Sequence, residues 1–248
     1  MTRVKHPKIN TGDRFKTNEG YDVEVLDYAN SKDVLIQFVD GHEYITTAQS
    51  VDLRRGNIKN PFHPSVFGIG YIGVGVTPPS IGGKDAPIYR AWKDMLNRAY
   101  GEKYKKKRPT YNDVTVCNEW HNFQNFAAWY KLQKNAGKTG YSLDKDLTTW
   151  GNRQYCPENC SYVPNAINTL VTGNKKRDLP PGVHRKGNKY IALVCVDGNL
   201  KGLGSFNSPE EAAYAYNNAK KDYIIVVADK YREELDPKVY ENLMKWEF

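Results

Sequence analysis

The strongest structural instruction in this chain lies in residues 182–219, GVHRKGNKYIALVCVDGNLKGLGSFNSPEEAAYAYNNA. Tyr190, Ala192, Val194 and Val196 fall on one side of a pleat, and Ile191, Leu193 and Cys195 on the other. Asp197-Gly198-Asn199 is a hairpin signal, because glycine tolerates the positive φ that such turns need. A further strand is predicted through Lys201-Gly202-Leu203-Gly204-Ser205-Phe206. Ser208 then caps a helix, Pro209 fits its first position, and Glu210 and Glu211 sit at its positive end. Ala212, Ala213, Tyr216 and Ala219 give that helix a smooth face, suited to close packing on a sheet.

This segment, over about residues 180–231, resembles the plant Apetala/ethylene-response-factor DNA-binding domain. The resemblance is carried by Gly182-Val183, Tyr190, Ala192, the Leu203-Gly204-Ser205-Phe206 run, Glu211-Ala212-Ala213 and Ala215-Tyr216. It implies a three-stranded antiparallel sheet entering the major groove, with one helix bracing its back. The same form is found appended to phage and mobile-element nucleases. The DNA-reading positions carried over are His184, Arg185, Lys186, Lys189 and Tyr190. Arginines are fewer here than in the plant proteins, so phosphate contact is the expectation. The plain alternative is a small α+β domain with ordinary surface lysines.

No run of about 18 apolar residues occurs, so no membrane span is expected. The opening MTRVKHPKIN lacks the apolar core of a signal peptide. Cys117, Cys156, Cys160 and Cys195 do not form the pattern of a secreted disulfide framework. The expectation is a soluble cytoplasmic protein, in the host cytoplasm or nucleoid if phage-encoded. Net charge is +8 and is concentrated in the middle of the chain. Residues 1–60 hold nine Lys/Arg and nine Asp/Glu, residues 179–248 ten of each, and residues 61–178 seventeen against nine. A basic middle between neutral ends points to a polyanion. The densest run, Lys103, Lys105, Lys106, Lys107 and Arg108 around Tyr104, reads as a phosphate clamp beside a DNA-reading domain. Taken alone, it reads as a solvated loop.

Residues 11–58 read as five short strands, among them Asp22-Val23-Glu24-Val25-Leu26 and Asp33-Val34-Leu35-Ile36-Gln37-Phe38. The expected form is a small bent β-barrel of the Tudor or KOW kind, an accessory module able to meet a protein partner. The glycine-rich stretch from Phe67 to Gly75 has no phosphate-loop Lys-Ser/Thr and, with Pro78-Pro79 and Gly82-Gly83, reads as a linker.

From Ile88 the pattern becomes helical, with Trp92, Met95, Leu96 and Ala99 on one stripe. Trp120, Phe123, Phe126, Ala127 and Tyr130 mark a second helix. Residues 140–175 then read strand, long loop, strand, helix. The strings L-D-K-D, G-N-x-x-Y-x-P-E-N-C and V-P-x-x-I-N carry a resemblance to phage HNH-type homing endonucleases, extended to about 88–175 by W-K-D-M-L and V-C-x-E-W. It implies a ββα-metal module holding one divalent ion, Mg²⁺ or Mn²⁺, on oxygen ligands. Asp144 matches the strand carboxylate ligand, Asn168 the helix amide ligand and Asn159 the asparagine that holds the loop and orients the base. The family's general-base histidine is replaced by Lys145, which is suited to phosphate charge; Asp146 is the candidate for metal or water, and His121 is near in sequence. Cys117, Cys156, Cys160 and His121 could form a zinc site, but buried thiols are the preferred reading and no structural zinc is expected.

The expected fold is therefore α+β and multidomain: a barrel over 1–75 with a linker to about 87, an HNH-like module over 88–178, and a three-stranded sheet with helices over 179–248. The expected function is metal-dependent hydrolysis or nicking of double-stranded DNA. The alternatives are a non-catalytic DNA-binding regulator with a degenerate HNH fold, and an interaction protein acting through its barrel.

Overall fold

The computed structural model describes residues 7–171 and 178–247. The boundary expected near residue 178 adjoins 172–177, which lie outside the described residues. The fold is mixed, with helices and several small sheets, and it divides into two compact units. One comprises residues 1–101 and 118–126, the other 102–117 and 127–248.

In the first unit, β1 (Arg14–Lys16), β2 (Asp22–Asn30), β3 (Asp33–Phe38) and β4 (Ile45–Ala48) form an antiparallel meander. Period-two burial fixes its register: Val34, Ile36 and Phe38 point into the core with Val23 and Val25. The expected five-stranded barrel does not form. The sheet stays open, with edge strands of three and four residues, too few and too short to wrap a closed surface. After β4, α1 (Ser50–Arg55) turns Leu53 into the same core.

The glycine-rich stretch is packed rather than loose. Tyr71 bridges to Asn122, accepting from Phe123 N and donating to His121 O, each at 2.9 Å. Gly70 lies against the next helix so closely that a Cβ would come within 2.4 Å of Leu96 Cδ1. A short hairpin follows, β5 (Ser80–Ile81) with β6 (Lys84–Asp85), and then α2 (Pro87–Tyr100). Its stripe of Trp92, Met95, Leu96 and Ala99 is buried as the spacing predicts. Trp92 Nε1 donates to Trp120 O at 2.7 Å, which satisfies the one polar atom of a fully buried indole.

In the second unit, α3 (Glu102–Lys107) and β7 (Thr115–Val116) precede α4 (Phe123–Leu132), which is shared with the first. β8 (Tyr141–Asp144), β9 (Gln154–Tyr155), β10 (Ser161–Pro164) and α5 (Asn165–Val171) follow. β8 and β10 pair antiparallel with Asp144 opposite Ser161, while β7 and β9 pair in parallel. Next come β11 (Val183–Lys186), β12 (Lys189–Val196) and β13 (Asn199–Phe206), an antiparallel sheet in that order. Asp197 and Gly198 have φ of 50° and 79°, the signs a two-residue type I′ turn requires.

The chain then enters α6 (Pro209–Lys230), capped by Ser208, whose Oγ accepts from Glu211 N at 3.2 Å, and ends in α7 (Pro237–Met244). α6 serves two cores. Its first half sets Ala212 and Tyr216 against Val183, Ala192 and Val194 of the sheet. Its second half sets Ile224, Val227 and Ala228 against Leu147, Val163 and Ile167 of the ββα segment and Val239 and Leu243 of α7. The run Ile224-Ile225-Val226-Val227 is β-branched and locally favours a strand. Burying Ile224 and Val227 is worth about 1.5–3 kcal/mol apiece, more than the roughly 0.7 kcal/mol that helix propensity costs at one position.

Gly182 lies close against α6. Its φ is +71°, and a Cβ there would lie 2.0 Å from Tyr216 Cδ2. Gly187 has a similar φ of +60° with nothing within 4 Å. Gly182→Ala is expected to cost about 3 kcal/mol in urea unfolding and Gly187→Ala about 1 kcal/mol, the difference being overpacking against the ring. Equal losses would place the whole cost in the backbone.

Candidate nucleic-acid cleft

Asp144 ends β8, and the chain there turns sharply. Asp144 Oδ1 accepts from the backbone amides of Asp146 and Leu147, both at 2.8 Å, an Asx-type turn that fixes the carboxylate. Burial pushes its carboxyl above the usual carboxylate range, and those two amides pull it back. Asn168 stands on α5 and donates Nδ2 to Ser142 Oγ at 3.0 Å, leaving its carbonyl oxygen as an acceptor. Asp144, Asp146 and Asn168 line one cleft of about 620 Å³. The antiparallel pair and the helix that follows it therefore gather the three side chains from 24 residues of separation.

Lys145 is 5% exposed. Its ammonium donates to Asp146 Oδ1 and, at 3.2 Å, to Asn152 O, and it lies 5.9 Å from the ring centroids of Tyr111 and Tyr155. Asn152 returns a bond from Nδ2 to Lys145 O at 2.7 Å. The side chain thus ties the loop 146–152 to the strand end and orients Asp146; as an ammonium it has only donors to offer. Asn159 acts on the same loop. Its backbone oxygen accepts from Thr148 Oγ1, its Oδ1 from Thr149 Oγ1 at 3.4 Å, and its Nδ2 donates to Asn152 Oδ1 at 3.3 Å. It is not among the residues lining the cleft, so its place is that of a positioning residue.

The basic run forms α3 with no buried residue, and Arg108 follows it. Tyr104 and Arg108 reach the cleft, with the Tyr104 ring edge-on to Tyr111 at 5.3 Å. Lys103, Lys106 and Lys107 are exposed, while Lys105 Nζ donates to Asn112 O at 3.0 Å. His121 belongs to the first unit, where its Nε2 lies 3.3 Å from Tyr100 Oη.

Trp150, Trp246 and Arg153 also line the cleft, and none was singled out from the sequence as a site residue. Trp150 sits edge-to-face on Trp246 at 4.4 Å. Asn242 of α7 donates to Leu147 O at 2.9 Å and Thr148 O at 3.0 Å, so the C-terminal helix latches the cleft loop. The available signal was an indole in a polar loop beside Gly151; the partnership across 96 residues had none.

Burial raises the Cys156 and Cys160 thiols, Cys160 most, which opposes the thiolate that zinc requires. Among the described residues, no three of His, Cys, Asp and Glu gather in a way that could hold a metal ion. Two carboxylates and an amide are the hard oxygen donors that Mg²⁺ uses when water and substrate phosphate complete its shell.

On the sheet, the five expected reading residues divide between two faces. Register sets His184 opposite Ile191 and Lys186 opposite Lys189, on the face away from α6 with Leu193 and Cys195. Arg185 pairs with Tyr190, and Tyr190 packs on the α6 side with Val196 and Phe206. Tyr190 is thus half-buried on the helix side, and Arg185, though exposed, leaves from the same side, bonding Gly187 O at 3.3 Å. The outward polar side chains are His184, Lys186 and Lys189, with Lys189 bonded to Asn207 Oδ1.

Comparison of the chain with protein-family models, curated proteins and solved structures returned no match. No helix among the described residues is long and apolar enough to cross a membrane.

Lys145→Met keeps the aliphatic stem and removes the two donated bonds. A stability loss of about 1–2 kcal/mol is expected in urea unfolding. An unchanged midpoint would leave the ammonium without a structural role.

Proposed function

We propose that this chain is a DNA endonuclease of the HNH, homing type, hydrolysing or nicking double-stranded DNA with Mg²⁺ or Mn²⁺. The observation that carries this reading is the meeting of Asp144, Asp146 and Asn168 in one cleft, at the end of an antiparallel strand pair and on the helix that follows it, beside Arg108 and the basic α3. Asp144 and Asn168 would hold the ion, which supplies Lewis-acid stabilisation of phosphate charge when bound. Asp146 takes the proton of the attacking water. Lys145 and Asn159 hold the loop that aims Asp146. Arg108 and the α3 lysines hold the strand through its phosphates, and His184, Lys186 and Lys189 bring the outer sheet face onto duplex DNA.

A second reading rests on Lys145. An ammonium stands where this family has its histidine, and its bonds are structural. The same surfaces would then serve a DNA-binding regulator without cleavage. A protein partner for the N-terminal sheet is a third reading, with cytoplasmic location common to all three.

Supercoiled plasmid incubated with Mg²⁺, Mn²⁺ or EDTA decides between cleavage and binding. Metal-dependent nicking is expected, reduced about a hundredfold or more in Asp144→Ala. A band shift without nicking would favour the regulator. Independently, changing Lys103, Lys106 and Lys107 to Gln should weaken binding to all sequences and lower the slope of log K against log salt by about 2–3. An unaltered slope would mark the run as merely solvated.

A further inference from the structure

Trp150 is hard to explain as part of a core. It is 41% exposed, on a loop whose next residue, Gly151, has φ +74°. It is nevertheless held: its ring meets Trp246 at 4.4 Å and 74°, and the loop behind it is tied by Asn242, Asn159 and Lys145. A large π-surface is thus presented to solvent by a fixed loop, at a cleft whose other lining residues include Tyr104, Arg108 and Arg153. Arg153 keeps an ion pair with Asp113 at 3.4 Å and a bond to Thr110 O, which aims it without neutralising it, because an exposed pair is worth little.

From this juxtaposition we infer that Trp150 is a stacking platform for one unpaired base, so that the cleft takes a locally opened strand rather than an intact duplex. This rests on the DNA-cleaving reading above and specifies its substrate. A base has a π-face whatever its identity, and the flanking phosphates supply the charge for Arg108 and Arg153. Carboxylates of the same cleft, Asp144 and Asp146, repel a strand until its exposed cations or a divalent ion offset them. The aromatic face and the exposed cations are therefore complementary to a nucleotide lifted out of the stack, and neither alone would select it.

The test uses the full chain and two fluorescein-labelled duplexes of one sequence, one fully paired and one with a three-nucleotide mismatch bubble. Anisotropy titrations in EDTA read binding without cleavage. The unaltered protein is expected to bind the bubble more tightly. Trp150→Ala should weaken bubble binding about tenfold while changing paired binding less than about twofold, and Trp150→Phe should restore most of the preference. Paired binding also reports that each variant is folded. Binding of both duplexes with no bubble preference would overturn this inference alone, as would equal losses on both in Trp150→Ala. Failure of the unaltered protein to bind either duplex would overturn the DNA-cleaving reading and this inference with it.

Discussion

The architecture of the second unit depends on the packing of Ile224, Val227 and Ala228 against Leu147, Val163 and Ile167. The ββα segment has little to bury by itself: β8 and β10 contribute four residues each and α5 seven. A two-stranded pair with a two-turn helix is marginal in water. The C-terminal half of α6, with Val239 and Leu243 of α7, supplies the apolar wall that this segment lacks. The strand end that positions Asp144 is therefore stabilised by residues more than 75 positions further along the chain.

That dependence lets the cleft be polar. Asp144 is half-buried, and two backbone amides and the nearby Lys145 offset part of the cost. Burial of Lys145 is tolerated in turn because Asp146 Oδ1 and Asn152 O accept its hydrogen bonds. Each group is tolerable through the others, so the loop 146–152 behaves as one bonded object. Asn159 and Asn242 close it from the two sides.

Local periodicity made much of this visible. The alternation of residues 190–196, the Asp197-Gly198 turn and the Ser208 cap each appear where the sequence indicates, because each signal is contained within a few residues. The strand, loop, strand, helix order of residues 140–171 was legible for the same reason. Closure was not: a meander and a barrel share the same strand pattern, and only strand length and the helix containing Leu53 decide between them. The glycine-rich stretch misled because glycine signals both looseness and close approach, and at Gly70 the neighbour is Leu96. Tyr190 was read as a DNA contact, but its parity is that of Ala192 and Val194. Trp246, Asn242 and the second half of α6 act across long sequence distances, where no single-sequence pattern reaches.

A helix shared by two cores has a metrical consequence. α6 has 22 residues, so it spans about 33 Å, close to one turn of a DNA duplex. On the proposed reading, sheet and cleft are joined by a rigid rod instead of a tether, and the interval between contact and chemistry is a property of the fold. Such an interval cannot drift one residue at a time. Each insertion within the rod would swing the Ile224 face by about 100° and unseat it from Val163 and Ile167. Among descendants of this chain, the stagger between sheet and cleft is thus far harder to alter than the side chains that line them.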